Sequence, residues 1–394
     1  EKFSMVKIAG EDNSEVDSLA KLAASLDSGL ESSVWVDLQE KSSLHFVPRV
    51  LSSRSEEIKG SWLEPIYRYL KDGTIPGDKI QARGIRYRAS RYLIHQGTLY
   101  RRSFTHPLFR CLTPYESDYV LREIHEGICG NHIGARSLAH RALTIGYYWP
   151  TMRKDSEDLV RKCDKCQRFA KYSSIPAQPM VPIQSPWPFA QWGIDIIGSL
   201  PIAKGGKKYA VVAIDYFTKW AEAVNRINQE AMKRFVWKNI VCRFGIPQVL
   251  ISDNGTQFEG RVFSEFCEGL NIAHFFSSPA HPQANGQVEV TNRTIIEAIK
   301  KRLEAAKRSW DEELLPVLWA YRTTSRTSTG ETPFALTYGT EAVLPVEIGM
   351  PTARVNLQQT SENAVLLKAN LDLAEELRDR ALLRMATYKQ KMTS

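Results

Sequence analysis

Three acids constrain this chain more than any other feature. They are Asp195 in WGIDIIG, Asp253 in LISDNGTQF and Glu289 in PQANGQVEVTN, with fifty-seven residues between the first two and thirty-five between the last two. Asp195 lies inside an apolar run, so it is placed within a strand. Asp253 ends Val249-Leu250-Ile251-Ser252, and Asn254-Gly255 supplies a turn after the strand tip. Glu289 falls early in a helix that follows a loop containing Pro, Asn and Gly. Acids gathered in one place repel, at a cost on the order of 4 kcal/mol per pair at about 4 Å and an effective dielectric of about 20. A divalent cation removes that cost, and hard carboxylate oxygens suit Mg²⁺. Two such ions about 3.5–4 Å apart serve phosphoryl transfer by activating one oxygen and stabilising another. Taken singly, each acid reads equally well as a turn or cap residue. The conjunction with its flanking words is what carries the chemistry.

A second constellation lies upstream. His125 and His132 have six residues between them, and Cys163-Asp-Lys-Cys166 follows after thirty more. Two imidazoles and two thiolates make a closed tetrahedral Zn²⁺ site of the structural kind. The spacing predicts helices over 137–143 and 152–161 to bring the two pairs together. In small modules such a site supplies about 10–16 kcal/mol of apparent binding energy, enough to define a fold. A redox pair at Cys163 and Cys166 is the alternative. His140 has no partner spacing, and Cys129 is read as a non-ligand. Six cysteines in 394 residues do not make a disulfide framework, and a reduced compartment fits them.

A formal charge of +8 favours an acidic partner, nucleic acid first. No run of eighteen apolar residues suggests a membrane helix. The N-terminus lacks a signal-peptide hydrophobic region, and both ends read as cut from something longer. Two to three domains are expected at this length. Residues 27–60 read as a Ser- and Glu-rich linker with a short strand. Residues 61–70 and 78–89 read as helices. A hairpin turning at Gln96-Gly97 follows, with Arg83, Arg86, Arg88, Arg101 and Arg102 interleaved with Tyr87, Tyr92 and Tyr100. That mixture suits phosphate contacts with stacking, or equally a solvated surface. Five prolines between 176 and 188 mark a stiff linker. Strands are then expected at 192–198, 209–214, 220–224, 248–252 and 272–276, with helices at 230–244 and 262–269, giving a mixed α/β sheet. Asp215, ending the second strand, is read as structural. Arg293 and Lys300 share the Glu289 helix face and Asn292 lies one turn on, so they are candidate DNA contacts. In the Lys300-Lys301-Arg302 run, one or two of the three are read as solvated. Ser361 to Lys391 reads as one long helix with an apolar stripe through Leu367, Leu371, Ala374, Leu377, Ala381, Met385 and Tyr388.

WGIDIIG, SDNGTQF and HPQANGQVEVTNR resemble the catalytic core of retroviral and retrotransposon integrases, most nearly the Ty3/Gypsy class of LTR retrotransposons. The family's D, D-35-E pattern falls on Asp195, Asp253 and Glu289, and its H-H-C-C zinc domain on His125, His132, Cys163 and Cys166. The resemblance implies a ribonuclease H-like core and Mg²⁺- or Mn²⁺-dependent DNA 3′-end processing and strand transfer. It also implies a mobile loop at the active site, where Gln283, Asn285 and Gly286 match the family's word as DNA contacts. The partners implied are element-end and target DNA with a homo-multimer on them, and the site of action is the nucleus, after synthesis within a cytoplasmic polyprotein. The organisation this suggests is a ribonuclease H remnant and linker at 1–60, with Asp17 non-functional, then an N-terminal extension domain at 61–115. The zinc domain follows at 116–172, the Pro-rich linker at 173–187 and the catalytic core at 188–345. A C-terminal linker and helix at 346–394 stop before any β-barrel domain. The fold class expected is α/β multidomain, the mixed-sheet core preceded by a small helical zinc domain and an α+β extension. Two alternatives stay open: a domesticated or decayed DNA-binding protein without chemistry, and a general ribonuclease H-like nuclease.

Overall fold

The computed structural model describes residues 58–102, 108–169, 185–198, 200–203, 205–276, 286–303, 309–356 and 373–393. The readings made for residues 1–57, including that of Asp17, lie outside the described residues, as does most of the Pro-rich linker.

Helices α1 (Glu64–Asp72) and α2 (Lys79–Ala89) open the described chain. Gly73 stops α1 in the left-handed conformation, and the Asp78 side chain caps α2 by accepting from the Ile80 N–H. Strands β1 (Tyr92–His95) and β2 (Thr98–Arg102) form the expected hairpin, with Gln96 and Gly97 both at positive φ. β3 (Leu108–Cys111) pairs with β2.

The zinc-site region follows with α3 (Pro114–Glu126), α4 (Ala135–Ile145), β4 (Tyr147–Tyr148), α5 (Met152–Lys162) and α6 (Asp164–Arg168). A reciprocal box starts α3: Thr113 Oγ1 accepts from the Glu116 N–H, and Glu116 accepts from the Thr113 N–H. β4 pairs in parallel with β3, so the extension and the zinc region share one four-stranded sheet. Trp62 seals that junction, its Nε1 donating to Leu112 O at 2.9 Å and its ring meeting Tyr148 edge-on at 6.0 Å. The tyrosines divide by face. Tyr100 is in the core and Arg101 stacks over Tyr148 at 4.0 Å, whereas Arg83, Arg86, Tyr87 and Arg88 are exposed on α2.

The second sheet has the order β7-β6-β5-β8-β9 and comprises β5 (Gln191–Ile197), β6 (Ala210–Asp215), β7 (Ala221–Val224), β8 (Val249–Ser252) and β9 (Ala273–Phe276). β5, β6 and β7 are antiparallel, and β8 and β9 run parallel to β5. This is the ribonuclease H-like mixed sheet that the resemblance implies. Trp192, Ile194, Val211 and Ala213 pack on one face against α7 and α9, through Met232, Phe235, Phe263 and Cys267. Here α7 is Gln229–Phe235, and α8 and α9 are Thr256–Glu259 and Arg261–Gly269. Ile197, Ala210 and Val212 pack on the other face against α10 (Gly286–Leu303) and α11 (Trp310–Arg322). The two-residue period therefore sends Asp195 to the α10 side. Covered on both faces, β6 is buried at every position.

One helix was expected over 230–244. α7 instead runs into a π turn at Val236–Val241 before a last turn at Cys242–Phe244. The widened turn keeps Val236 and Ile240 buried while Asn239 and Arg243 both reach buried Glu222, Asn239 at 3.3 Å and Arg243 at 2.6 Å.

Residues after 345 are not a plain linker. α12 (Pro333–Tyr338), α13 (Pro345–Gly349) and α14 (Ala353–Asn356) carry the chain back to the zinc region. There Leu344, Val346 and Met350 join the cluster of Leu121, Ile124, Leu138 and Trp149. Tyr147 donates to Met350 O at 2.6 Å and Arg110 to Pro351 O at 2.9 Å. The described C-terminal helix, α15, is Ala374–Thr393, and the Leu367 and Leu371 part of the expected stripe lies outside the described residues. It packs on α12 through buried Ala381 and through Arg378, which donates to Leu336 O and Thr337 O, while Leu383 is exposed. Among the described residues, no helix is long and apolar enough to cross a membrane.

Candidate metal centres of the zinc region and the sheet

The four upstream ligand candidates meet. One ligand atom each from His125, His132, Cys163 and Cys166 lies within 4.8 Å of all the others. Cys163 Sγ is 3.3 Å from His132 Nδ1, and Cys166 Sγ is 3.4 Å from His125 Nε2. Ligands at Zn²⁺ bond lengths stand about 3.3–3.8 Å apart along the edges of a tetrahedron, so these pairs are already at that separation. α3 supplies His125 from its last turn, and the α5–α6 junction supplies both cysteines. His132 sits at φ +45° in the intervening loop, and its N–H donates to His125 O at 3.1 Å. Burial pushes the imidazoles down, to about 4 for His125 and about 3 for His132, so both are neutral and offer a lone pair. Burial and then neighbouring Cys163 push the Cys166 thiol up to about 12, so a cation is what would draw its thiolate out. The donor set fits zinc. His140 is exposed and bonded to Thr144, and Cys129 is buried outside the quartet, as expected of non-ligands.

Two of the acids lie in or next to neighbouring strands of the second sheet. β5 pairs in parallel with β8, Gly193 opposite Ile251. Asp195 lies within β5, and Asp253 directly follows the end of β8, its parallel neighbour. Asp195 Oδ1 accepts from the Ile196 N–H at 2.8 Å, and its Oδ2 accepts from Asn292 Nδ2 at 2.8 Å. Buried Tyr216 stands beside it; burial and then the Asp195 charge raise its phenol above the ordinary value. Asp253 follows the strand tip, its Oδ1 accepting from the Gly255 N–H at 3.3 Å. Burial raises the Asp253 carboxyl, and the Gly255 N–H opposes that. Ser252 Oγ donates to Asp253 O at 2.9 Å and stands 2.9 Å from His274 Nε2, which must then be the protonated ring nitrogen.

Glu289 lies in the first turn of α10, on the same helix face as Asn292 three residues later. Its side chain lies outside the described part, as do Gln283 and Asn285; Gly286 is the first residue of α10. The start of the helix is fixed by Gly193. A Cβ there would fall 2.3 Å from Val288 Cγ2 and 2.4 Å from the Tyr216 hydroxyl. Only glycine lets the helix approach so closely.

Asn292 is not at the surface where a DNA contact would be. It is buried, spends its amide on Asp195, and leaves its Oδ1 without a hydrogen-bond partner among the described residues. Arg293 and Lys300 are exposed on α10, as their spacing predicts. Lys301 and Arg302, in contrast, bond to backbone carbonyls of the zinc region, which no local sequence signal announces. Asp215 is structural: fully buried, it accepts from the Phe189 N–H and from the N–H and hydroxyl of Thr218.

Residues 115–172 match the family described as Integrase zinc binding domain. Residues 186–282 match Integrase core domain, a match that takes in Asp195 and Asp253 and ends before Glu289. The Retrovirus-related Pol polyprotein from transposon 412 of Drosophila melanogaster is 28% identical over 235 residues, 58% of this chain and 19% of the relative. The Pro-Pol polyprotein of Feline foamy virus is 30% identical over 238 residues, 60% of this chain and 20% of the relative. The chain thus spans about a fifth of the length of these curated relatives. Among solved structures, a chain of the simian T-cell lymphotropic virus intasome in complex with PP2A regulatory subunit B56 gamma matches at 17% identity and TM-score 0.42. That match covers 57% of this chain and 74% of that one. One stretch of the chain thus matches the integrase zinc-binding family and the next the integrase core family, and the chain is similar to Pol polyproteins of a retrotransposon and of a retrovirus.

Proposed function

We propose that this chain is the integrase of a retrotransposon, trimming the 3′ ends of element DNA and joining them to target DNA in the nucleus. Asp195, Asp253 and Glu289 would hold Mg²⁺ or Mn²⁺. Such cations, when bound, neutralise charge on the attacking and leaving oxygens of a phosphodiester displacement. The chain's own work is positioning and charge. Asn292 holds the Asp195 carboxylate in one rotamer through Oδ2. The Ser252–His274 pair fixes the backbone at Asp253. Exposed Arg293 and Lys300 extend from the Glu289 turn as a basic stripe for a DNA strand, and Gln283, Asn285 and Gly286 lie just before that turn in sequence. A homo-multimer on paired ends would bring the DNA together.

The observation that carries this reading is the Asn292–Asp195 bond, because it holds the first turns of α10, and so the Glu289 backbone, against the strand that bears Asp195. The test is strand transfer by the full chain on element-end DNA with Mg²⁺. Wild type should give joined product, and Asp253→Asn should lose about 10²–10³-fold or more. Equal background from both would end the enzyme reading and leave a DNA-binding protein. Cleavage of RNA–DNA hybrids without joining would instead make it a ribonuclease H-like nuclease.

A further inference from the structure

The loop between the two histidines turns its carbonyls outward, and cations take them up. Arg302 Nη1 donates to Ile128 O at 3.2 Å and to Gly130 O at 2.9 Å. Lys301 Nζ donates to His132 O at 3.2 Å. Arg141, on α4, donates to Cys129 O at 3.1 Å. Four carbonyls in five residues are thus held by three cations. Two of those cations come from the end of α10, the core helix whose first turn bears Glu289. Arg302 is itself fixed, its Nε 2.6 Å from buried Glu313 on α11. The loop needs holding, because His132 is in the left-handed region, which a non-glycine residue occupies at a cost. That conformation is what keeps its Nδ1 beside Cys163 Sγ.

We propose that Lys301 and Arg302 are positioning residues of the zinc site, supplied to it by the catalytic core. They touch no ligand atom. They fix the backbone that aims His132, and partners of this kind are worth roughly 10–100-fold in metal affinity. One consequence is reciprocal. Zinc holds the loop, the loop holds the end of α10, and the metal thereby orders the helix that carries Glu289. This rests on the zinc assignment and not on the carboxylate chemistry, so failure of strand transfer would leave it standing.

The test is zinc affinity of the full chain, read by competition with a chromogenic chelator. Arg302→Ala and Lys301→Ala should each weaken zinc by about tenfold or more. Lys301→Arg keeps a donor and should stay near wild type, as should Lys300→Ala, whose side chain is exposed. Circular dichroism of the zinc-loaded variants separates lost metal from lost fold. Should Arg302→Ala not fold, Lys301→Ala, which loses one bond at a partly exposed position, decides alone. Hydrogen exchange supplies the second readout, since chelating zinc should lower protection over residues 295–303. Affinities within twofold of wild type in the folded alanine variants would overturn the proposal, and so would exchange in that stretch indifferent to zinc.

Discussion

The two candidate metal centres are built on opposite plans. The zinc quartet is closed: two imidazoles made neutral by burial and two cysteine sulfurs each offer a ligand atom within 4.8 Å of the others. Every member comes from within forty-two consecutive residues. The acid candidates are drawn from far apart in the chain: a central strand, the residue just past the tip of its parallel neighbour and the first turn of a helix packed on the sheet. Carboxylates gathered in one place would repel, and what fixes these acids individually is Asn292 on Asp195, Gly255 on Asp253, and a glycine where the Glu289 helix passes. A soft-ligand site of this kind makes its fold, whereas a hard-ligand site is made by its fold.

The largest effect that would break this contrast is metal removal. Chelating zinc should unfold residues 113–168 and leave the five-stranded sheet in place. The scale is set by the about 10–16 kcal/mol of apparent zinc affinity in comparable small modules. Limited proteolysis with a stoichiometric zinc assay reads both halves. Cleavage confined to the zinc region is expected, and a chain unchanged by chelation would mean the quartet is not a structural metal site. Removing Mg²⁺ should leave melting almost where it was.

The next effect acts on the acid site without touching either metal. Gly193→Ala puts a methyl into Val288 and Tyr216. Overpacking of that kind costs about 1–3 kcal/mol. The helix must shift to relieve it, and a displacement of about 1 Å can cost roughly 10²-fold in rate. Strand transfer should therefore fall by up to about 10²-fold in a chain that still folds and keeps its zinc. A variant as active as wild type would show that the close approach of α10 does not set the Glu289 turn.

This difference in plan also explains what could be read from the sequence. The quartet was legible because its ligands are soft, scarce and regularly spaced. The five core strands were legible from apolar runs such as Val211-Val-Ala-Ile214, which need cover on both faces. The acids were legible as a set through spacing and flanking words, and Gly193 inside a strand pattern carried a local warning. Asn292 was misread because spacing on a helix shows which residues share a face, not which face is buried. The grip of Lys301 and Arg302 on the zinc loop, the return of Leu344, Val346 and Met350 to the zinc region, and the β3–β4 pairing all join residues far apart in the chain. Two-residue β4 is too short to have any period at all.

The smallest expected effect lies where the two plans meet. Glu341 accepts from Thr332 Oγ1 at 2.8 Å, near Arg354 and near Arg141 of the zinc region. Burial drives its carboxyl up to about 7, against the pull of those donors. A carboxyl whose folded pKa exceeds its unfolded one binds more protons when folded, between an ordinary value of about 4.5 and that raised one. The stability it brings at low pH is therefore lost as pH rises through about 7. Glu341→Gln keeps an oxygen for Thr332 and removes the charge. Its stability relative to wild type should improve from pH 5 to pH 8, by at most about 2.5 kcal/mol, as measured by urea unfolding at both. If the difference between the two proteins were the same at both pH values, the two arginines would already hold Glu341 ionised. The seam between the zinc region and the core would then be an ion-paired one and not a neutral one.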